Sequence, residues 1–140
     1  MIFLDTSVLV PAAQAFHANH ARAFSLLQAS NKQNSSTGIH ALTELYSVLT
    51  RSQKPRMISP LIVAKVVEEY SYRMTVVDIT SEQILQVIAS CSTQGIAGGA
   101  IHDAVLIACA RKVGASAIYT YNLRDFVRIA PDLADIIREP

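Results

Sequence analysis

The chain has 140 residues, a net charge of +1 at neutral pH, 51% hydrophobic residues and 16% charged residues. This length and composition suit one domain with a hydrophobic core, which excludes a globally disordered chain. The small net charge excludes a protein that holds nucleic acid through a strongly basic surface alone, but not a nucleic-acid enzyme with a local basic strip.

Two cysteines, Cys91 and Cys109, lie among apolar residues without the spacing of a zinc site, so we expect buried, reduced thiols. The longest segment without an acid or a base, residues 83–102, is interrupted by polar residues and glycines, which excludes a membrane span. We expect residues 1–140 to form a single soluble, cytoplasmic domain.

Apolar runs and capping residues predict alternating strands and helices in the first half of the chain. Residues 1–4 form a buried strand that ends at Asp5, where a helix begins and is later divided by Pro11. The helix resumes over residues 16–30, with one face made of Phe16, His20, Phe24 and Leu27. Residues 34–38 are turn-like with room for a short strand, residues 39–50 form a helix, and residues 51–56 form a basic loop.

The second half continues the alternation. Ser59 caps a helix over residues 60–72, and a strand follows over residues 74–79. A helix begins at Thr80 and ends at the glycines of residues 95–99, and the next covers residues 101–113. We then expect a strand over residues 115–121, a short helix or turn over 122–130 and an edge strand at 136–137. This order predicts an α/β fold with a mostly parallel sheet covered on both sides.

The most informative feature is where charge is missing. Residues 1–21, 33–50 and 83–110 each contain one charged side chain, and these are Asp5, Glu44 and Asp103. Asp103 opens an apolar helix, and a buried carboxylate without a partner costs several kcal/mol or becomes protonated. A divalent cation held by all three acids would resolve this cost, and oxygen ligands favour Mg²⁺ or Mn²⁺.

The predicted fold places these acids near one another. Asp5 follows the first strand, while Asn122 and Asp125 follow a later one, and parallel strands end at one edge of a sheet. We expect Glu44 and Asp103 in the first turns of helices that start at the same edge. Close carboxylates repel, so at least one pKa should be raised without metal.

Each acid also has an ordinary structural interpretation. Asp5 can be a helix cap, Glu44 a solvated helix residue, Asp103 a partner of the helix dipole and Asp125 a turn residue. The joint pattern, and not any single residue, indicates a metal site.

Four segments together resemble PIN-domain ribonucleases, specifically the VapC-type toxins of toxin–antitoxin pairs. They are the opening Phe3-Leu4-Asp5-Thr6-Ser7, the helical acid in Ala41-Leu-Thr-Glu44, the segment His102-Asp103-Ala104, and Thr120-Tyr-Asn122-Leu-Arg-Asp125-Phe126. The resemblance covers essentially the whole chain and implies a three-layer α/β/α PIN-like domain with a central sheet of four or five strands.

The resemblance implies a metal-dependent endoribonuclease that uses Mg²⁺ or Mn²⁺. Asp5, Glu44 and Asp103 would bind metal and act in catalysis, and either Asn122 or Asp125 would complete the site. Hydrogen bonds from Thr6, Ser7 and Thr120 would orient carboxylates or a phosphate. The densest basic strip, Arg51, Lys54 and Arg56, is the candidate grip on substrate.

The resemblance also implies an RNA substrate, a small cognate antitoxin and a homodimer, for which the helices over residues 39–50 and 60–72 offer apolar surface. The alternative is a catalytically inactive PIN-like module that only binds RNA or protein. The solitary acids argue against that alternative, because an inactive site could relax to neutral residues.

Overall fold

The computed structural model describes residues 1–51 and 58–140. Within them, five short strands form one sheet: β1 (Ile2–Leu4), β2 (Ser35–Gly38), β3 (Thr75–Val77), β4 (Ala117–Tyr119) and β5 (Ile137–Arg138). The strand order is β3-β2-β1-β4-β5, and every neighbouring pair is parallel. The expected parallel sheet is confirmed.

Helices flank this sheet and give the predicted three-layer α/β/α arrangement: α1 (Thr6–Ala12), α2 (His20–Gln28), α3 (Ile39–Arg51), α4 (Pro60–Arg73), α5 (Ser81–Gln94), α6 (Ala100–Lys112) and α7 (Leu123–Ile129). A 3₁₀ helix (Pro131–Ile136) leads into β5. The predicted cap at Ser59 of α4 is confirmed, and the helix predicted to begin at Thr80 starts there with a capping box between Thr80 and Gln83.

The core lies where the apolar faces of these helices meet the sheet. Its largest fully buried side chains come from strands and helices alike and include Phe3, Leu9, Leu45, Leu106, Ile118 and Phe126. Cys91 and Cys109 are both buried and free, as expected. No helix in the described ranges is long and apolar enough to cross a bilayer.

Strand β2 is made entirely of small residues, which is why the sequence of residues 34–38 looks like a turn. All four of its residues are buried. Their hydroxyls are satisfied by neighbouring carbonyls: Ser36 Oγ donates to Ile2 O at 3.0 Å and Thr37 Oγ1 donates to Leu4 O at 2.8 Å. Buried hydroxyls with such partners are tolerated in a sheet interior.

Two expectations about the first helices are wrong. Pro11 does not divide a longer helix, since it lies in the last turn of α1, which ends at Ala12. The helix expected over residues 16–30 begins only at His20. Backbone turns over residues 13–19 replace its first part, and Phe16 is 54% exposed instead of packing on the apolar face.

The chain reverses its direction across the sheet between β1 and β4. From β1 it proceeds to β2 and β3 on one side, and β4 and β5 then add on the other. Such a switch point opens a crevice beyond the carboxyl ends of the two strands, where ligands of parallel sheets bind. Asp5 follows β1 and Thr120 follows β4 at this place.

Candidate active site

Asp5 lies at the carboxyl end of β1 and is 3% exposed. Its Oδ2 accepts hydrogen bonds from Ser7 N at 3.2 Å, Ser7 Oγ at 2.5 Å and Thr120 Oγ1 at 2.8 Å. The bond from Ser7 N caps α1, so Asp5 is a helix cap as well as a candidate ligand. Burial raises the pKa of Asp5, although these hydrogen bonds oppose the rise.

Ser7 and Thr120 connect the ends of β1 and β4 around Asp5. Their hydroxyl oxygens lie 3.2 Å apart, Tyr121 N donates to Ser7 Oγ at 2.8 Å, and Asn122 N donates to Thr120 Oγ1 at 2.9 Å. Each hydroxyl therefore contacts the Asp5 carboxylate and one backbone amide. The Ser7 hydroxyl, after β1, contacts an amide that follows β4, whereas the Thr120 hydroxyl contacts an amide of its own segment. This network holds Asp5 in one position.

Glu44 lies on α3, which follows β2. Its Oε2 accepts a hydrogen bond of 2.8 Å from Thr6 Oγ1. Glu44 is the sixth residue of α3, so the expectation that it lies in the first turn is wrong. The second turn is the one that reaches α1, because these two helices pack against each other.

Asp103 lies in the first turn of α6, as expected. Its Oδ2 accepts a hydrogen bond of 2.7 Å from Asn122 Nδ2. Burial, together with the negative charges of Asp5, Asp125 and Glu44, raises the pKa of Asp103 to about 7. The expected carboxylate repulsion acts in this direction and adds to the larger effect of burial on the pKa of Asp103.

A pair of histidines joins the helices that carry Glu44 and Asp103. His40 Nε2 and His102 Nδ1 lie 2.8 Å apart, and the two rings are stacked with centroids separated by 4.8 Å. The pair was invisible in the sequence because 62 positions separate the two residues. Burial and the nearby His102 lower the pKa of His40, against the attraction of Glu44.

Asp5, Glu44, Asp103 and Asn122 line one cavity of about 460 Å³. The structure thus brings together the three solitary acids and Asn122 from four separate elements. The other lining residues are Thr6, Ser7, Val10, Pro11, His17, Asn19, Val48 and Tyr121.

The donor set of this cavity suits a hard divalent cation. Carboxylate and amide oxygens are the ligands that Mg²⁺ and Mn²⁺ prefer, and a cation would offset both the burial and the repulsion that raise the pKa of Asp103. Within residues 1–51 and 58–140, no three His, Cys, Asp or Glu side chains are already spaced to hold an ion. These residues therefore fit a divalent cation through the chemistry of their oxygen atoms and because they line the same cavity.

The remaining predicted site residues lie elsewhere. Asp125 forms an ion pair of 3.0 Å with Arg128 and does not line the cavity, although its charge acts on Asp103. Arg51 is exposed in the last turn of α3. Lys54 and Arg56 lie outside the described residues.

Six cavity residues were not among the predicted site residues: the apolar Val10, Pro11 and Val48, and the polar or aromatic His17, Asn19 and Tyr121. His17 and Asn19 belong to the turns before α2, where the sequence suggested helix. Tyr121 stands between two predicted site residues, and that adjacency was the only signal for it.

Comparison with known proteins identifies the family of this chain. A PIN domain family model matches residues 2–131. The ribonuclease VapC40 of Mycobacterium tuberculosis is 35% identical in an alignment 133 residues long that covers 89% of this chain and 88% of the relative.

Solved structures share the fold. The chain resembles M. tuberculosis VapC20, described as a sarcin-ricin loop cleaving toxin, with a TM-score of 0.69, 24% identity and coverage of 87% of this chain and 90% of the other. It also resembles VapBC2 from Rickettsia felis bound to a promoter DNA fragment, with a TM-score of 0.65, 21% identity and coverage of 99% and 98%.

Proposed function

The chain belongs to the PIN domain family, among its VapC-type toxins, and from this premise we propose that it is a metal-dependent endoribonuclease of a toxin–antitoxin pair. The observation that carries the proposal is the convergence of Asp5, Glu44 and Asp103 on one cavity at the switch point of the sheet. Similarity to ribonuclease VapC40 supports the activity. We take residues 1–140 as the domain that carries it.

Asp5, Glu44, Asp103 and Asn122 would hold Mg²⁺ or Mn²⁺ in this cavity. When bound, such an ion supplies Lewis acidity toward the scissile phosphate and the attacking water. The chain's own residues keep the donors in place before substrate arrives. Ser7 and Thr120 fix Asp5, Thr6 fixes Glu44, and the Asn122 amide orients Asp103.

We assign Asn122, and not Asp125, as the fourth metal-binding residue, beside the three solitary acids. Asn122 contacts Asp103 directly and lines the cavity, whereas the carboxylate of Asp125 is paired with Arg128. Asp125 then acts at a distance through its charge. Arg51, with Lys54 and Arg56, remains our candidate grip on the RNA backbone.

We also propose a small cognate antitoxin, a homodimer and a cytoplasmic location. The structural neighbour from R. felis is a toxin–antitoxin complex, which supports the antitoxin. Apolar side chains exposed on α3 and α4, namely Ile39, Leu61 and Ile62, supply a surface for the second copy.

The test is cleavage of an end-labelled total RNA pool with Mg²⁺, Mn²⁺ or EDTA. Discrete fragments that require metal and disappear in Asp5→Ala and Asp103→Ala proteins would support the proposal. Asp135→Ala removes an exposed carboxylate and serves as the matched control. Circular dichroism of each variant separates lost chemistry from lost folding, because Asp5 also caps α1.

Two negative results have different meanings. Absence of cleavage and of calorimetric metal binding would refute the nuclease proposal and favour the inactive PIN-like module. Cleavage that persists in EDTA, or in both variants, would refute the assigned metal site. The ribonuclease activity would then stand without that site.

A further inference from the structure

Two histidines outside the acid cavity link the helices that carry Glu44 and Asp103. His40 Nε2 and His102 Nδ1 lie 2.8 Å apart, within hydrogen-bonding distance, and neither residue lines the cavity. One neutral imidazole donates its N–H and the other accepts, because each ring carries a single proton. Among the residues that the structure describes, no other side-chain hydrogen bond runs from α3 to α6. The pair is therefore the direct polar link between these two helices.

The histidine pair lies close to both acids along the helices. His40 is the second residue of α3 and precedes Glu44 by about one turn, so the two side chains lie on one face of that helix. His102 is the third residue of α6 and directly precedes Asp103. Because backbone hydrogen bonds make a helical turn rigid, a bond between the first turns of α3 and α6 also sets the distance between the two acids.

The beginning of α6 has little local support of its own. Its N-cap is Gly99, which has no side chain to cap the helix. The connection before it contains Gly95 and Gly98, whose φ angles of 68° and 62° are both positive. A helix end without a side-chain cap leaves backbone N–H groups without partners and is less stable. The bond to His40 supplies the anchor that a cap would otherwise give.

Other elements hold the two acids separately. Thr6 of α1 donates a hydrogen bond to Glu44, and Asn122, which follows β4, donates one to Asp103. Neither bond joins the helix of one acid to the helix of the other. The negative charges of Glu44 and Asp103 repel each other when no cation is bound. The separation of the acids therefore depends on the contact between α3 and α6, of which the histidine pair is the polar part.

We infer that His40 and His102 are positioning residues, which hold Glu44 and Asp103 at the separation that one divalent cation requires. This inference rests on the proposed metal-dependent function. Mg²⁺ binds oxygen ligands at about 2.0–2.1 Å in near-octahedral geometry, so a small shift of one helix lowers the affinity. His40 is partly exposed and His102 is exposed, so their bond contributes little to the stability of the whole fold. Its effect is confined to the acids.

The experiment is calorimetric titration of Mg²⁺ and of Mn²⁺ into the wild type, His40→Ala, His102→Ala and the double alanine variant. We expect each single variant to bind about 10- to 100-fold more weakly, which is the usual loss when a residue that orients metal ligands is removed. The double variant should bind no more weakly than the single variants, because either substitution already breaks the pair. The melting temperature in EDTA should change little.

A conservative double variant tests the hydrogen bond itself. His40→Gln and His102→Asn together place side-chain amides near the positions of Nε2 and Nδ1, where they can share a hydrogen bond. This variant should recover most of the wild-type affinity. His20→Ala is the matched control, since it removes a half-buried imidazole that bonds Pro11 O at 2.9 Å and stacks on Phe24 but lies on neither α3 nor α6. It should bind Mg²⁺ as the wild type does.

RNA cleavage gives a second readout. When Mg²⁺ is below saturation, the kcat of the alanine variants should fall with the fraction of protein that holds metal. Excess Mg²⁺ should restore kcat, and the KM for RNA should stay at the wild-type value. A histidine that contacted RNA would raise KM instead, and a general loss of structure would lower the melting temperature.

The outcomes separate this inference from the proposed function. Alanine variants that bind Mg²⁺ as tightly as the wild type would overturn the inference and leave the function standing. The same conclusion follows if the Gln and Asn pair binds no better than the alanine variants, or if KM rises while metal affinity is unchanged. If the wild type binds neither cation, the metal-dependent function and this inference both fail.

Discussion

Replacement of Asp103 by Asn should make the metal-free protein more stable above neutral pH. The pKa of Asp103 is raised from 3.8 to about 7 by burial and by the charges of Asp5, Asp125 and Glu44. Asn has nearly the same shape, can accept the hydrogen bond from Asn122 and carries no charge. The substitution therefore removes the buried charge, together with its repulsion by the other acids, and leaves the packing in place.

The sign follows from the protons bound in each state. Below about pH 4, Asp103 is protonated in both folded and unfolded chains and costs nothing. Between pH 4 and 7 the unfolded chain loses this proton while the folded chain keeps it, so stability falls as pH rises. Above pH 7 the charged Asp103 lowers the free energy of unfolding by a constant amount. A shift from 3.8 to about 7 corresponds to at most about 4 kcal/mol, and partial solvent screening reduces it to about 2 kcal/mol.

The assay is thermal unfolding in EDTA from pH 4 to pH 8. We expect Asp103→Asn to match the wild type at pH 4 and to melt about 5–8 °C higher at pH 8. Part of the pH dependence should remain, because the pKa of the buried Asp5 is raised as well. Mg²⁺ should raise the melting temperature of the wild type more than that of the variant. Equal stability of the two proteins at pH 8, or a less stable variant there, would refute the cost of the buried Asp103 charge that we derive.

Three further predictions concern the support of the site. Thr120→Val removes buried bonds to Asp5 and to Asn122 N and should cost about 1–3 kcal/mol in urea unfolding. Asn122→Ala should lower kcat/KM for RNA about 10- to 100-fold, while Asp125→Asn should lower it far less; a larger effect at Asp125 would reverse our assignment. Gly38→Ala should cost about 1–3 kcal/mol by calorimetry yet keep the activity of the folded fraction, because the added methyl would lie 2.8 Å from a Leu106 methyl.

The sequence alone was sufficient to predict the order of the secondary-structure elements and to single out the three solitary acids. Apolar runs, Pro60 and the caps at Ser59 and Thr80 are local signals, and the structure contains the elements that they predict. Asp5, Glu44 and Asp103 were visible because an isolated carboxylate in an apolar stretch is costly wherever it is buried. Such features depend on residues that are close together in the chain, so the local sequence predicts them.

Other features were decided by tertiary structure. The polar strand β2 is stable because the carbonyls of Ile2 and Leu4 satisfy its hydroxyls. Asn122, and not Asp125, lines the cavity because β4 lies beside β1 and aims the following residues at Asp103. These outcomes depend on groups that are distant in the chain and become neighbours only when the strand order is set. Contacts between such distant residues produce no periodic or compositional pattern in the sequence, so neighbouring residues could not predict them.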